Sequence, residues 1–376
     1  MPMARRVAGK PVIVARIGRS PSGVRAARSH TAALAGNQRV WQSALSQAGV
    51  LVVRSGLEML DVARALDAQP PPAGNRVAII TNSGGTGVEL ADLLNEEGLA
   101  VPELTAELQE RIRALLPRFA SPANPIDITP TWERFAELYP RLVDMLARCG
   151  EVDVVIPVLV QRAAMDAAVV QGLRETVVQL RRQSVDVPVY VCWVAPRSGR
   201  ANAGLLQEAG LPCFEWPERT ARAAGHAARF GATRGWQRSA SPGGPPRARL
   251  MRLPTGQLDV DLAATLLRHA GIPTVESITC TTVADAVRAA ERIGYPVVCK
   301  VVHPEVVHRS DRGGVVLNLR DHDGVRAAAR ALLQLADGAR VQVQAQLDGV
   351  EVVVGGLRDP QFGPVIMIGL GGSSWR

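Results

Sequence analysis

The sequence predicts an α/β protein in which helices cover both faces of parallel β-sheets. Two observations predict this fold class: short apolar runs rich in Val and Ile alternate with segments of helical periodicity, and Gly- or Pro-containing turns separate them along most of the 376 residues. Continuous apolar runs are typical of strands that are buried on both faces of a sheet. Strict alternation of strands and helices gives a doubly wound, flavodoxin-like order.

Two strands and two helices are predicted in residues 1–69: strand 10–17, helix 37–49, strand 50–54 and helix 56–67. His30 falls in the Ser-, Gly- and Ala-rich loop between the first strand and the first helix. Main-chain N–H groups and the helix dipole favour a phosphoryl group at such a place. A lone His in a loop of this composition is, on general grounds, more often an exposed bystander.

Residues 70–230 predict a second α/β domain, which follows the stiff Pro70–Pro72 segment. Its predicted strands are 76–81, 152–160, 187–194 and 213–215, and its predicted helices are 88–97, 132–148, 165–182, 201–209 and 218–229. His226, on the last of these helices, is interpreted as a surface residue.

A glycine-rich turn, Ser83-Gly84-Gly85-Thr86-Gly87, joins the first strand of this domain to its helix. Such a turn can bind an anion, but the sequence lacks the GxGxxG fingerprint and the acidic residue of a dinucleotide site. We therefore expect a phosphate contact or close packing of the helix on the strand, and no NAD site. Further along, Asn124 to Asp127 (NPID) predicts a structural loop in which Asp127 caps the main chain.

Residues 231–256 predict a linker, since Pro, Gly and Arg are concentrated in them. Residues 257–376 return to regular elements. These are helices 259–271, 282–294 and 323–336, and strands 277–280, 296–302, 315–319, 340–347, 351–357 and 365–368.

Composition excludes several classes of protein. The formal net charge is +8 but aromatic residues make up only 4%, so the stacking platforms of nucleic-acid-binding proteins are not expected. The five cysteines show no CxxC or CxxH spacing, which predicts free thiols in a reducing cytoplasm and no zinc site. Neither a signal peptide nor a membrane span is predicted.

The chemistry-bearing stretch is Cys299–Val316, CKVVHPEVVHRSDRGGVV. Lys300 lies in an apolar strand, where a cation is costly to bury without an anion. His303 and His308 follow, and Gly313-Gly314 opens the next strand, where the main chain can approach a phosphate closely. Spacing alone fits a polyphosphate site and, equally well, a surface hairpin with solvated charges.

The segments GYPVVCKVV, VVHRSDRGGVVLNL and DGVEVVVGGLRDPQFGPVIMIGLGG resemble the ATP-grasp half of the nucleoside-diphosphate-forming acyl-CoA synthetases. These are the acetate–CoA ligases (ADP-forming), which are related to succinyl-CoA synthetase. SHTAALAG, around His30, is similar to the family's SHTGALAG loop. The resemblance implies four parts: a flavodoxin-type domain with the His loop at 1–69, a second flavodoxin-like CoA-ligase domain at 70–230, a linker at 231–256 and an ATP-grasp domain, incomplete at its C-terminus, at 257–376.

The resemblance also implies an activity. Members of the family form acyl-CoA from a carboxylic acid, CoA and ATP, with release of ADP and phosphate, through an acyl phosphate and a phosphohistidine. His30 matches the phosphorylated His of the family, and His308 matches a second phosphoryl carrier found in one of its branches. Imidazole suits this relay because its neutral form is nucleophilic near pH 7.

Further site residues follow from the same resemblance. The expected ATP contacts are Lys300, Gly313, Gly314, Glu351 and, at the adenine edge, the main chain of Gln344, Ala345, Gln346 and Leu347. The candidate phosphate contacts are Ser29, Thr31, Ser83, Gly84, Gly85 and Gly87. Mg²⁺ would bridge the phosphates, and its protein ligands are not identified.

The family's CoA-binding domain is not recognised in the sequence, and we expect a fragment of such an enzyme whose own activity is open. Two alternatives remain: a regulatory or acyltransferase-associated relative that uses these domains for ligand sensing, and an inactive remnant. The expected partners are a small carboxylic acid, CoA and a nucleotide, with homo- or hetero-oligomerisation left open and no nucleic acid or membrane. The acyl group itself is not predicted.

Overall fold

The structure is a computed structural model that describes residues 9–31, 38–118, 120–129, 131–239, 256, 258–304 and 313–371. Its contacts divide the chain into two compact units, Met1–Ser241 with Asp359–Gly363, and Pro242–Arg358 with Pro364–Arg376. None of the described helices is both long enough and apolar enough to cross a lipid bilayer. The fold class is the predicted one, an α/β protein with a doubly wound parallel sheet.

The first unit begins with a small parallel sheet and three helices: β1 (Ile13–Ala15), α1 (Pro21–Thr31), α2 (Gln38–Gln47), β2 (Leu51–Val53) and α3 (Gly56–Ala68). Ser55 caps α3, because its hydroxyl accepts a hydrogen bond from Glu58 N at 3.1 Å. Both strands match the predicted ones within a few residues at each end.

Helix α1 corrects the predicted loop around His30. Ser20 acts as its cap, with Oγ accepting a hydrogen bond from Gly23 N at 3.1 Å. Pro21 follows at the first helical position, where a missing N–H costs nothing, and two Ala and two Arg in the middle of the helix are good helix formers. His30 therefore lies in the last turn of a helix and not in a loop before one.

The large sheet of the first unit is fully parallel. Its strands stand in the order β4-β3-β5-β6-β7 and are β3 (Val77–Thr81), β4 (Ile126–Asp127), β5 (Val154–Val160), β6 (Val191–Val194) and β7 (Cys213–Glu215). The chain steps from β3 outward to β4 and then back across to β5. The strand order therefore reverses at β3, which in doubly wound sheets is where ligands bind, at the carboxyl ends.

Among the described residues, seven helices accompany this sheet: α4 (Gly84–Glu96), α5 (Ala106–Arg113), α6 (Phe135–Arg148), α7 (Gln161–Met165), α8 (Ala167–Arg182), α9 (Arg200–Glu208) and α10 (Pro217–Ser239). One apolar core joins the sheet to α5, α6, α8 and α9. A second core, on the other face, joins it to α4 and α10. Burial of both faces explains why its strands are continuously apolar in sequence.

Helix α10 is longer than predicted and enters the segment 231–256 that the composition assigned to a linker. Residues 231–239 are helical. A Cβ at Gly231 would lie 2.1 Å from Pro72 O, so glycine lets the helix pass close to the Pro-rich segment. Phe230 completes a small core with Leu51, Val53 and Val62.

Two polar side-chain pairs, here called the α3–α10 seam, join these helices. Arg219 donates two hydrogen bonds of 2.8 Å to Asp61, which is 3% exposed. Three residues before Asp61, Glu58 Oε1 lies 3.0 Å from His226 Nε2. His226 is 6% exposed, so the interpretation as a surface residue is wrong: its side of α10 packs on α3.

The second unit contains an antiparallel sheet in the order β10-β9-β11-β8. Its elements are α11 (Val260–His269), β8 (Ser277–Cys280), α12 (Val283–Ile293), β9 (Val297–Val302), β10 (Val315–Leu319), α13 (His322–Leu333) and β11 (Arg340–Ala345). One sheet face packs on α12 and α13 and is apolar. Two further strands, β12 (Val352–Asp359) and β13 (Gly363–Leu370), form a separate two-stranded sheet.

Candidate functional site

Lys300 lies on β9, in the interior of the four-stranded sheet and on the face away from the apolar core. Its direct neighbours across the sheet are Gln342 on β11 and Val315 on β10. The half-buried ammonium donates a hydrogen bond of 2.8 Å to Gln344 Oε1. Gln344 therefore helps to orient the ammonium.

The amino-acid composition distinguishes Lys300 from the other basic residues, which the spacing of the motif does not. Lys10 and Lys300 are the only lysines among the 43 basic residues of the chain. In a sequence that uses Arg nearly everywhere else, a Lys on an apolar strand indicates that the compact, strongly hydrated ammonium itself is needed there. A planar guanidinium would not replace it at such a position.

The two predicted loop glycines lie beside Lys300. Gly313 has φ +66°, a left-handed conformation that favours glycine. The Gly314 carbonyl accepts a hydrogen bond of 2.9 Å from Val301 N, next to Lys300 on β9. His308, the predicted second phosphoryl carrier, lies outside the described residues, as does the rest of 305–312.

Three of the four predicted adenine contacts are held by the sheet itself. On β9, Val298 pairs with Gln344 and Val297 pairs with Ala345, and Gln346 N donates a hydrogen bond of 3.0 Å to Pro296 O. The Gln346 side chain accepts a hydrogen bond from Asn318 N and donates one to Asn318 Oδ1, both at 2.7 Å. Leu347 follows the strand and is 71% exposed; none of the described hydrogen bonds uses its main chain, which is the arrangement that an adenine edge needs.

Glu351, the lower-ranked ATP contact of the sequence analysis, lies just before β12. Its carbonyl accepts a hydrogen bond of 2.7 Å from Gly371 N. No described hydrogen bond or ion pair joins it to Lys300. Within the part of the chain that the structure describes, no group of three or more His, Cys, Asp or Glu side chains could hold a metal ion.

The glycine-rich segment after β3 is the first turn of α4 and not a separate turn before it. A Cβ at Gly87 would lie 2.8 Å from Thr81 Cγ2, and one at Gly84 would lie 2.9 Å from Asp127 Oδ2, whereas Gly85 faces open space. Thr81 Oγ1 in turn donates to Ser83 O at 2.8 Å. Close packing on the strand therefore explains Gly87.

Asp127 caps the main chain as predicted, since its Oδ1 accepts a hydrogen bond of 2.8 Å from Thr129 N. Its other carboxylate oxygen points at Gly84, at the start of α4. The carboxylate is favourable there because it faces the positive end of the helix dipole. A phosphate bound at Ser83 or Gly84 would accordingly lie beside a negative charge.

Ser29, His30 and Thr31 form the last turn of α1, for which the structure describes the main chain. The assignment of His30 as phosphoryl carrier, and of Ser29 and Thr31 as phosphate contacts, stays a prediction.

Two asparagine side chains supply hydrogen bonds to the main chain of β3 and β5. The sequence analysis did not predict these contacts. Asn124 Oδ1 accepts from Ile79 N at 2.9 Å, and Asn124 Nδ2 donates to Val77 O at 2.8 Å. The side chain thus replaces a missing strand at this edge. At the carboxyl end, Asn82 Oδ1 accepts from Val160 N at 3.0 Å and closes the gap between β3 and β5. The pairing of an Asn with a distant strand leaves no local pattern in the sequence.

A tryptophan and an arginine also meet at this edge. The Arg162 guanidinium carbon lies 4.9 Å from the centroid of the Trp132 ring. Trp132 is 45% exposed and follows β4, and Arg162 is exposed and follows β5. They are 30 positions apart in the chain, so only the order of the strands brings them together.

The comparisons with known proteins agree with this architecture. A succinyl-CoA ligase like flavodoxin domain matches residues 1–66, a ligase-CoA domain matches 77–242 and an ATP-grasp domain matches 251–376. The chain is 33% identical over 386 residues to acetate–CoA ligase (ADP-forming) I of Archaeoglobus fulgidus, a match that covers 98% of this chain and 54% of the relative. It is 27% identical over 387 residues to 4-hydroxybutyrate–CoA ligase (ADP-forming) of Nitrosopumilus maritimus, covering 96% of this chain and 53% of the relative.

Among solved structures, the chain resembles dinucleotide-forming acetyl-coenzyme A synthetase 1 of Ca. Korarchaeum cryptofilum in complex with phosphate and ADP. The TM-score is 0.57 at 28% identity, over 63% of this chain and 51% of that one. This chain spans about half the length of the curated relatives that it matches. With three consecutive domains of one enzyme type, the chain belongs to the nucleoside-diphosphate-forming acyl-CoA synthetase family.

Proposed function

We propose that the chain carries the nucleotide-binding and phosphoryl-transfer part of an acid–CoA ligase, which forms acyl-CoA from a carboxylic acid, CoA and ATP and releases ADP and phosphate. The observation that carries the proposal is Lys300, a half-buried ammonium on an apolar strand, oriented by Gln344 at 2.8 Å. The matching ATP-grasp domain over residues 251–376 supports the assignment of ATP as its ligand.

In this proposal Lys300 binds the β- and γ-phosphates, and the main chain at Gly313 and Gly314 covers them. The adenine edge meets the main chain of Leu347. Imidazole then attacks the γ-phosphorus: a P–N bond forms, the P–O bond to ADP breaks, and ADP leaves. His30 is the proposed carrier, with His308 as a second one on the nucleotide side.

The phosphoryl group next moves to the substrate carboxylate. A carboxylate oxygen attacks the phosphorus, the P–N bond breaks and an acyl phosphate forms. The CoA thiolate attacks the acyl carbon, and phosphate leaves with the electron pair of the C–O bond. The carboxylate has to be phosphorylated because its oxygen is otherwise a poor leaving group.

Magnesium would accompany the nucleotide. The described residues offer no cluster of acidic or imidazole ligands for it, so they do not fit a dedicated metal site. Mg²⁺ is commonly held through substrate phosphates with few protein ligands. We place the protein in the cytoplasm, since all five cysteines are free thiols.

The presence of two lysines allows a direct test of the nucleotide site. The purified chain is treated with limiting formaldehyde and borohydride, with and without Mg²⁺ and ATP, and methylation of each lysine is measured by mass spectrometry. Bound phosphates should slow methylation of Lys300, while exposed Lys10 serves as the control within the same molecule. Equal methylation of Lys300 with and without ATP would contradict the proposed site.

Phosphoryl transfer is tested separately with γ-labelled ATP. The proposal predicts an acid-labile, base-stable label on the chain that is lost in His30→Ala, with His308→Ala run beside it. Protection of Lys300 without any label would indicate a nucleotide-binding relative that senses its ligand. Absence of both would indicate a remnant.

A further inference from the structure

We propose that Trp132 and Arg162 recognise the acid substrate in its acyl-phosphate form: the guanidinium binds the phosphoryl oxygens, and the indole packs against the acyl chain. The inference rests on the proposed ligase function and names a specificity site within it. It predicts a preference for acids with an apolar body over acetate.

The two side chains come from loops at the carboxyl end of the large sheet. Trp132 begins the turn after β4, and Arg162 is the second residue after β5. These strands flank β3 on either side, so the two side chains meet across the carboxyl end of β3. The strand order reverses there, which is the place where doubly wound sheets bind ligands.

The pair combines an aromatic ring with a cation. The guanidinium carbon lies 4.9 Å from the ring centroid, a cation–π contact that fixes the plane of the guanidinium. Among the described residues, no carboxylate lies within ion-pair distance of Arg162. Nearby Arg134 and Arg141, by contrast, both pair with Glu137, at 3.1 and 2.8 Å. The donors of Arg162 therefore remain available for a planar anion such as a carboxylate or phosphoryl group.

Polar side chains join the two strands β3 and β5 at their carboxyl ends. Asn82 Oδ1 accepts from Val160 N at 3.0 Å, and Tyr139 Oη lies 2.6 Å from Val158 O. These contacts join the carboxyl ends of β3 and β5. Gly85, on the same edge, faces open space.

The chemical class of ligand follows from these three parts. The planar guanidinium can donate two hydrogen bonds to an anion with two oxygens. Burial of apolar ligand surface against the exposed indole ring stabilises the complex. Acetate has a single methyl group to pack on the indole ring, whereas an aryl or longer alkyl acid has an apolar surface comparable in area with the ring. An acyl phosphate of such an acid presents both features in one molecule.

Binding is measured by calorimetry on the full chain with acetylphosphonate and benzoylphosphonate, whose P–C bonds prevent phosphoryl transfer, and with inorganic phosphate. The native chain should bind benzoylphosphonate more tightly than acetylphosphonate. Arg162→Gln should weaken both by about tenfold, the effect of losing a charged hydrogen-bond donor. Trp132→Leu should reduce the preference for the benzoyl compound by about threefold or more and leave acetylphosphonate nearly unchanged.

Arg197→Gln is the matched control, because Arg197 is exposed at the same sheet edge, after β6. It should not change binding, and unchanged melting temperatures would confirm that all variants fold. Equal binding of both phosphonates, or equal losses in Arg162→Gln and Arg197→Gln, would overturn the inference. Since the readout involves neither ATP nor Lys300, failure here is distinguishable from failure of the proposed ligase function.

Discussion

Replacement of Asp61 by Ala tests whether the α3–α10 seam holds the first unit together. Asp61 is 3% exposed and receives two hydrogen bonds from Arg219. The variant removes the carboxylate and leaves the guanidinium against α3 without its partner. An uncompensated charge at a buried position is costly because neither water nor protein solvates it fully.

The magnitude follows from how deeply Arg219 is buried. Breaking a fully buried pair costs about 3–5 kcal/mol. Arg219 is 24% exposed, and Glu215 Oε2 lies 3.4 Å from its Nη1, so solvent and a second carboxylate offset part of that loss. We expect Asp61→Ala to lower the free energy of unfolding by about 2–3 kcal/mol.

Urea denaturation followed by far-UV circular dichroism measures this effect. Glu215→Ala is the matched control: it removes the exposed partner of the same Arg219 and should cost under about 0.5 kcal/mol. The double variant Asp61→Leu with Arg219→Met should recover most of the lost stability, since a packed apolar pair needs no compensation. An Asp61→Ala chain as stable as Glu215→Ala would refute the reasoning.

Three further predictions concern the first unit. Burial, with Arg229 nearby, lowers the pKa of His226 below 6.5 despite Glu58 and Glu97; the folded state therefore binds fewer protons, and stability is lost as pH falls below about 6.5. In His226→Gln the free energy of unfolding should fall less between pH 7 and pH 5 than in the native chain. Equal losses in the two proteins over this range would contradict the prediction. Gly87→Ala should cost about 1–3 kcal/mol in urea denaturation through its clash with Thr81, whereas Gly85→Ala, in open space, should be nearly neutral. Asn124→Ala should cost about 2–4 kcal/mol by the same measurement, because it strips the edge of β3 of its hydrogen-bond partners; a loss below about 1 kcal/mol would mean that water replaces the side chain.

Much of the fold could be predicted because burial leaves a pattern in the sequence. Strands covered on both faces, such as β3 and β5, are continuous apolar runs, and helices reveal themselves by periodicity. Helix α1 was missed because its Ser and Gly content resembles a loop, although Ser20-Pro21 is a helix-start signal. The extension of α10 was missed because glycine at 231 suggested a linker, when a close approach to Pro72 requires it.

The parts of the candidate site that are close together in the sequence could be predicted. Lys300 and the glycines that follow it form one continuous stretch of sequence. The hydrogen bond from Lys300 to Gln344 depends on the register between β9 and β11, and sequence alone did not predict it. The meeting of Trp132 and Arg162 depends on strand order, which the sequence indicates only as a class of fold and not as a set of neighbours.

Phe230 has a consequence for biosynthesis. The small core around Leu51, Val53 and Val62 is completed by this residue of α10. During translation the N-terminal segment therefore leaves the ribosome long before its last core residue is made. This core is therefore completed only when α10 has been made, whereas the neighbouring apolar cluster of Leu45, Ala48 and Val50 uses residues from the same N-terminal segment alone.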